Sequence, residues 1–234
     1  MSTRSIQSLG LLCLGILWLA GLPATSQSFN LDFGQPGDGP AATYGAAGLA
    51  GTWNSFLASH GSTTSNLLGL DGLPTGVSMS QIGGLDTVSD SDPATSGGDA
   101  LLMDDYLVTF SAGLESCLFF DNLEAGDYEI LLYARMPEQP LVFGDTFVDQ
   151  EVGVPHYSVG GVWPGAHQEL ITYSRHFATV GVDGNLDMHS GIVPGANPAL
   201  GAALNGVQLR LLSDPFFADD FETGDTSGWT AAVP

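Results

Sequence analysis

Lysine is absent from the sequence, and four arginines stand against 26 acidic residues, giving a formal net charge of −22. That balance argues against nucleic acid as a partner, because phosphate binding draws on clustered Lys and Arg. It also points away from anionic polymers and toward neutral ones, since a strongly negative protein repels polyanions unless divalent cations intervene. Charged residues of both signs make up only 13% of the chain against 44% hydrophobic, the composition of a chain with a core rather than a disordered one. Long helices are disfavoured by 32 Gly and 13 Pro, the two poorest helix formers. Cysteine is nearly missing, with Cys13 and Cys117 alone. No Gly-x-Ser-x-Gly elbow and no His-x-x-x-His pair occurs, so neither a serine hydrolase nor a helical zinc site is signalled.

The first 26 residues carry a single charge, Arg4, ahead of an apolar stretch from Leu9 to Leu22 and the small residues Ala24, Thr25 and Ser26. A basic start, a short apolar run and a small-residue end describe a secretory signal peptide. The run is shorter than the roughly 20 residues of a membrane span. Cleavage near Ser26 is expected, leaving no membrane span and a protein that is secreted, at the cell surface or periplasmic. Cys13 leaves with the signal, so Cys117 has no partner for an intramolecular disulfide. Flanked by Leu118, Phe119 and Phe120, it reads as a small buried hydrophobe rather than a reactive thiol.

Beyond the signal the hydrophobic period is two. In Gly126–Arg135, Tyr128, Ile130, Leu132 and Ala134 share one face, and Glu129, Leu131, Tyr133 and Arg135 share the other. Asn205–Leu212 repeats the pattern, with Val207, Leu209 and Leu211 inward and Gln208 and Arg210 outward. Further strands are expected at Phe29–Phe33, Thr52–Leu57, Gly76–Ile82, Tyr106–Phe110, Glu115–Phe120, Leu141–Asp149 and Gly184–His189, and Leu170–Val182 reads as one long strand or two short ones. Turn-forming clusters such as Gln35–Pro40, Gly83-Gly84 and Asn122–Gly126 separate them. Tyr44–Ala50 and Pro198–Ala203 could each hold one helical turn. Strands at this spacing indicate an all-β fold, a single jelly-roll β-sandwich over residues 27–213. Residues 214–234 form a separate acidic tail with four aromatics, Phe216, Phe217, Phe221 and Trp229.

Three segments carry resemblances. Phe29–Gly34, with Tyr44–Gly48 and Gly51–Asn54, resembles the opening of galactose-binding-like β-sandwich domains in exported bacterial proteins. Leu123–Tyr133, with Val182–Asp187 and Leu204–Leu209, is similar to malectin-like and related carbohydrate-binding jelly rolls. Phe217–Trp229 resembles a recurrent C-terminal segment of proteins secreted by Gram-negative bacteria. The resemblance implies a carbohydrate role; composition and spacing do not.

Two sets of candidate residues follow. Sugar rings stack their C–H faces on aromatics and present hydroxyls to Asn, Asp, Gln and Arg. Trp53 with Asn54, Tyr133 with Arg135, Tyr157, Trp163 and Tyr173 with Arg175 combine those types, although core filling is the competing role for large rings. Trp163, within Gly160–Gly165, reads as lying on an exposed loop. The second set is the acidic stretch with Asp90, Asp92, Asp99, Asp104 and Asp105, where a structural calcium could find carboxylate and carbonyl oxygens, against the alternative of a solvated loop. No catalytic residues stand out. The leading expectation is a non-catalytic module that binds a neutral glycan or cell-envelope polymer. A structural or adhesive protein that packs against protein partners, and a polysaccharide-active enzyme, are the alternatives.

Overall fold

The computed structural model describes residues 27–110, 115–137, 139–194 and 201–212; the expected signal peptide and the acidic tail lie outside them. Two sheets face each other. One has five strands in the order β11 (Tyr173–Val180), β8 (Gly126–Tyr133), β14 (Gly206–Leu211), β1 (Phe29–Asp32), β2 (Trp53–Ser55). The other has six, ordered β10 (Tyr157–Gly160), β9 (Phe143–Val148), β12 (Leu186–Ile192), β7 (Glu115–Asp121), β4 (Ser78–Gly83), β3 (Thr63–Thr64). A small third sheet, β13 (Ala202–Leu204), β6 (Asp105–Thr109) and β5 (Thr87–Ser89), lies beside β12, β9 and β7. The one helix among the described residues is α1 (Gly98–Met103). This is the all-β jelly-roll sandwich that the alternation predicts.

The main core fills the space between the sheets. Tyr128, Ile130 and Leu132 of β8 meet Leu118 and Phe120 of β7, Met188 of β12, Met79 of β4, and Phe29 and Leu31 of β1, all fully buried. Each large apolar side chain so buried contributes about 1.5–3 kcal/mol. Of these, Tyr128, Ile130 and Leu132 are the residues the period-two reading turns inward.

Differences concentrate where elements are short or loops fold back. Strands β3, β5, β10 and β13 span two to four residues, too few to show a period. Tyr44–Ala50 holds one hydrogen-bonded turn, Gly45–Gly48, preceded by another at Ala41–Tyr44, rather than a helical turn, with Ala46 at φ 46°. In the segment read as a helical turn over Pro198–Ala203, Ala202 and Ala203 belong to β13, and residues 198–200 lie outside the described set. Leu170, expected in the strand, takes φ 63° in the turn ahead of β11. The acidic stretch holds α1, whose Leu102 and Met103 are buried.

Candidate functional site

The outer face of the five-stranded sheet is set by register. Arg175 of β11 lies opposite Leu131 of β8, Leu131 opposite Gln208 of β14, Gln208 opposite Asn30 of β1, and Asn30 opposite Trp53 of β2. On one side of that row, Phe177, Glu129 and Arg210 form the next row; on the other lie Tyr173 and Tyr133. The two ends of this face meet different surroundings.

The Tyr133 end is roofed. Turns at 41–50, helix α1 and the loop at 161–168 fold over it and build a second core from Trp53, Leu102, Met103, Leu131, Tyr133, Trp163 and Tyr173, with Tyr44, Ala46 and Ala47 packed against it. Gly98 is needed for the approach, because a Cβ there would lie 2.4 Å from the Tyr44 ring. The roof is pinned by polar contacts. Trp53 Nε1 donates to the Tyr44 carbonyl, and the Tyr133 hydroxyl donates to Gln208 Oε1 and accepts from the Ala47 amide. The Tyr44 hydroxyl bonds Asp99 Oδ1 and His167 Nε2, both at 2.6 Å. Burial pushes the His167 pKa down, with Asp99 opposing it. Arg135, 3% exposed, pairs with Asp92, 6% exposed, at 2.6 Å, donates through Nε to the Gly161 carbonyl and lies 5.7 Å from the Trp163 ring centroid.

The Glu129 end is open. A pocket of about 130 Å³ is floored by Asn30, Leu131 and Gln208, lipped by Ala47, Gly48, Leu49 and Leu70, and walled by Glu129, Arg175 and Arg210. The floor amides are committed to the fold: Gln208 bonds the Gly48 amide, Asn30 Oδ1 and the Leu49 carbonyl, and Asn30 Nδ2 also donates to Leu49. The wall is charged. Arg175 and Arg210 both pair with Glu129, and Arg175 Nε reaches Glu169 at 3.3 Å. Two of the chain's four arginines therefore converge on one carboxylate beside an apolar lip.

The expected ligand residues fall into three groups. Arg175 lines the pocket, and Tyr173 lies behind it with the Arg175 guanidinium 5.9 Å from its ring centroid. Trp53, Tyr133, Arg135 and Trp163 are buried under the roof; the loop at Gly160–Gly165 is exposed at Val162, Pro164 and Gly165, but the Trp163 ring turns inward and is 9% exposed. Asn54 clips the chain together, bonding the Leu68 amide and the Asn30 and Leu68 carbonyls, and Tyr157 lies at the far sheet, edge-on to His176. Glu129, Gln208 and Arg210 complete the pocket. Their signal was the outward half of the same alternation that placed the core.

The five acids of the expected calcium set turn to different partners. Asp92 takes Arg135, Asp99 takes Tyr44 and His167, Asp104 accepts from Thr95, and Asp90 lies against Tyr106. Asp105 faces Asp32 of β1, which is 1% exposed and has no hydrogen bond to either carboxyl oxygen. Glycines enclose that carboxyl. A Cβ on Gly34 would lie 2.7 Å from Asp105 Oδ2 and 3.0 Å from Asp32 Oδ2, and one on Gly39 would lie 3.2 Å from Asp32 Oδ2. Burial pushes the Asp32 pKa up to about 7; the neighbouring Ser55 hydroxyl lowers it and Asp105 raises it further.

No family model matches the sequence, and no curated protein matches it. Among solved structures, the chain is similar to one from the complex of the plant peptide RALF23 with FER and LLG2, at 13% identity and a TM-score of 0.42; 80% of this chain covers 40% of that one. It is also similar to the C-terminal CBM6 of LamC, a marine laminarinase from Zobellia galactanivorans, at 13% identity and a TM-score of 0.30, over 53% of this chain and 87% of that one. A third is CBM35 from Cellvibrio japonicus Abf62, at 14% identity and a TM-score of 0.31, over 53% and 86% of the two chains. The sandwich itself is established by the strand pairing described above.

Proposed function

We propose that the chain is an exported, non-catalytic module that binds a neutral glycan in the pocket walled by Glu129, Arg175 and Arg210. The observation that carries this reading is the pocket's mixed lining. A sugar ring offers hydroxyls that donate and accept, and C–H faces that are apolar. Here Arg175 and Arg210 can donate, Glu129 can accept, and Leu49, Leu70 and Leu131 provide apolar contact. Small-molecule sites combine a mostly apolar lining with a few placed polar groups in this way. The net charge of −22 favours a neutral polymer over a polyanion. Glu129 is the single carboxyl group among the lining residues, whereas the usual glycoside hydrolysis needs two.

A glycan-array screen of the protein beside Arg175→Ala tests the reading. Retention of a neutral glycan by the parent and its loss in the variant supports it, and equal retention by both overturns it. Incubation of the retained glycan with the protein tests the non-catalytic part, with no release of reducing ends expected.

Calcium stabilisation belongs to the same reading, seated at Asp32 and Asp105. Calcium takes carboxylate, carbonyl and hydroxyl oxygens, and Asp32 supplies a buried carboxyl beside the Ser55 hydroxyl and the Asp105 carboxylate. Calcium is expected to raise the melting temperature of the parent and not of Asp32→Asn. Identical melting curves with calcium and with chelator would remove it.

A further inference from the structure

Among the described residues no loop builds a second core on the outer face of the six-stranded sheet, and register lays a row of side chains across it. Ile82 of β4 stands opposite Cys117 of β7, Cys117 opposite His189 of β12, and His189 opposite Phe147 of β9. Glu115, two residues before Cys117 on the same face, stands opposite Gly191, so no side chain blocks its path toward His189. Three electron-pair donors of different types consequently meet. Cys117 Sγ is 3.1 Å and Glu115 Oε2 is 3.2 Å from the same atom, His189 Nδ1, and all three lie within 4.8 Å of one another.

Proton sharing accounts poorly for this convergence. Nδ1 has one site, so it either carries a proton for one neighbour or accepts one, and the other neighbour faces it without a strong bond. A cation at the centre satisfies all three at once. Bonds of about 2.0–2.3 Å at tetrahedral angles put ligand atoms roughly 3.3–3.6 Å apart, a few tenths of an ångström beyond the separations seen here. The imidazole is already held for the task. It stacks on Phe147 at a centroid distance of 4.3 Å and an angle of 3°, with Phe119 edge-on at 6.5 Å. Its other nitrogen, Nε2, has no hydrogen bond but lies 3.5 Å from Asp149 Oδ2, close enough for that carboxylate to take up its N–H when Nδ1 binds a cation.

We propose that Glu115, Cys117 and His189 form a binding site for one zinc-class divalent cation on the outer face of the six-stranded sheet, with Asp149 positioning the histidine. Three protein ligands leave a coordination position for water or an incoming group. Burial, together with Glu115, Asp149 and Asp187, pushes the Cys117 thiol up to about 11. The free thiol is therefore a poor nucleophile, and its proton leaves when a cation supplies the missing positive charge. The same carboxylates attract that cation to the face.

The test is a cobalt(II) titration of the full chain carrying Cys13→Ser, so that Cys117 is the single thiol, followed by displacement with zinc. A thiolate-to-cobalt charge-transfer band that saturates at one equivalent and is abolished by zinc is expected. Zinc is also expected to protect Cys117 from alkylation by iodoacetamide. Adding Cys117→Ser should remove the band, His189→Gln should remove saturable binding, and Asp149→Asn should weaken binding by about 10-fold. Melting curves establish that each variant is folded. Cobalt bound without a thiolate band, or alkylation equally fast with and without zinc in folded protein, overturns the proposal.

Discussion

The two outer faces of the sandwich follow one alternation and end in opposite states. On the five-stranded sheet, Tyr133 and Tyr173 lie under a roof that turns an outward row into a second core. On the six-stranded sheet, Phe119, His189 and Ile82 occupy equivalent outward positions, and Ile82 remains 48% exposed. The difference originates outside both sheets, in the loops at 41–50, 90–103 and 161–168. Strand periodicity states which way a side chain points, whereas the loops decide whether it meets protein or solvent. Where the roof stops, between Tyr133 and Glu129 on β8, it leaves the pocket.

Substitutions of similar chemistry on the two faces should therefore differ in cost. The largest effect is expected from Asp92→Ala, which strands the Arg135 guanidinium in a buried site; leaving such a charge without its partner costs about 3–5 kcal/mol. Denaturant unfolding measures it, and a loss below 1 kcal/mol would mean that the roof is looser than described. Trp163→Ala removes the ring that Arg135 and His167 pack against and should cost about 3 kcal/mol in the same assay. Unchanged stability in that variant would mean that the ring is not packed under the roof.

Asp32→Asn sharpens the comparison through pH. The folded-state pKa of Asp32 is raised above its ordinary value of 3.8 to about 7, so the folded state holds this proton longer than the unfolded chain does. Stability is then lost as pH rises from about 4 to about 7 and is level outside that window. At about 1.4 kcal/mol per pKa unit the ceiling on this loss is ~4 kcal/mol, and relaxation around the charge brings the expected value to about 2 kcal/mol. In chelator, Asp32→Asn should flatten the decline and gain most above pH 7. A parent whose stability rises across that window would contradict the buried, unpaired carboxyl. The smallest effect is expected on the outer face of the six-stranded sheet, where Phe119 is half-buried and belongs to neither core, so Phe119→Ala should cost about 1 kcal/mol or less.

Much of the architecture was legible in the sequence because β14 alternates apolar and polar residues along its length and β8 does so through Ile130. The same alternation placed Glu129, Gln208 and Arg210 outward, so most of the pocket wall was readable before its depth was. The roof was not. Trp163 sits among glycines and a proline, a composition shared by exposed loops and by loops that fold back, and local pattern does not separate them. Helix α1 begins at Gly97-Gly98-Asp99, a turn signal, and is only six residues long. Asp32 occupies a polar position of β1, and its burial depends on how closely Gly34 and Gly39 let the following loop approach. The meeting of Glu115, Cys117 and His189 depends on β7 pairing with β12 across more than 70 residues, which no local motif announces.

The most direct test of the pocket is the glycan array run on the full chain and on Arg175→Ala side by side. Arg175 is one-third exposed, and Glu129 keeps Arg210 as a partner without it, so its removal should leave stability within about 1 kcal/mol. The expected result is retention of a neutral glycan by the parent and none by the variant, with matching melting curves. Retention that survives Arg175→Ala would place the glycan elsewhere, and silence from the parent across the array would shift the function to protein partners.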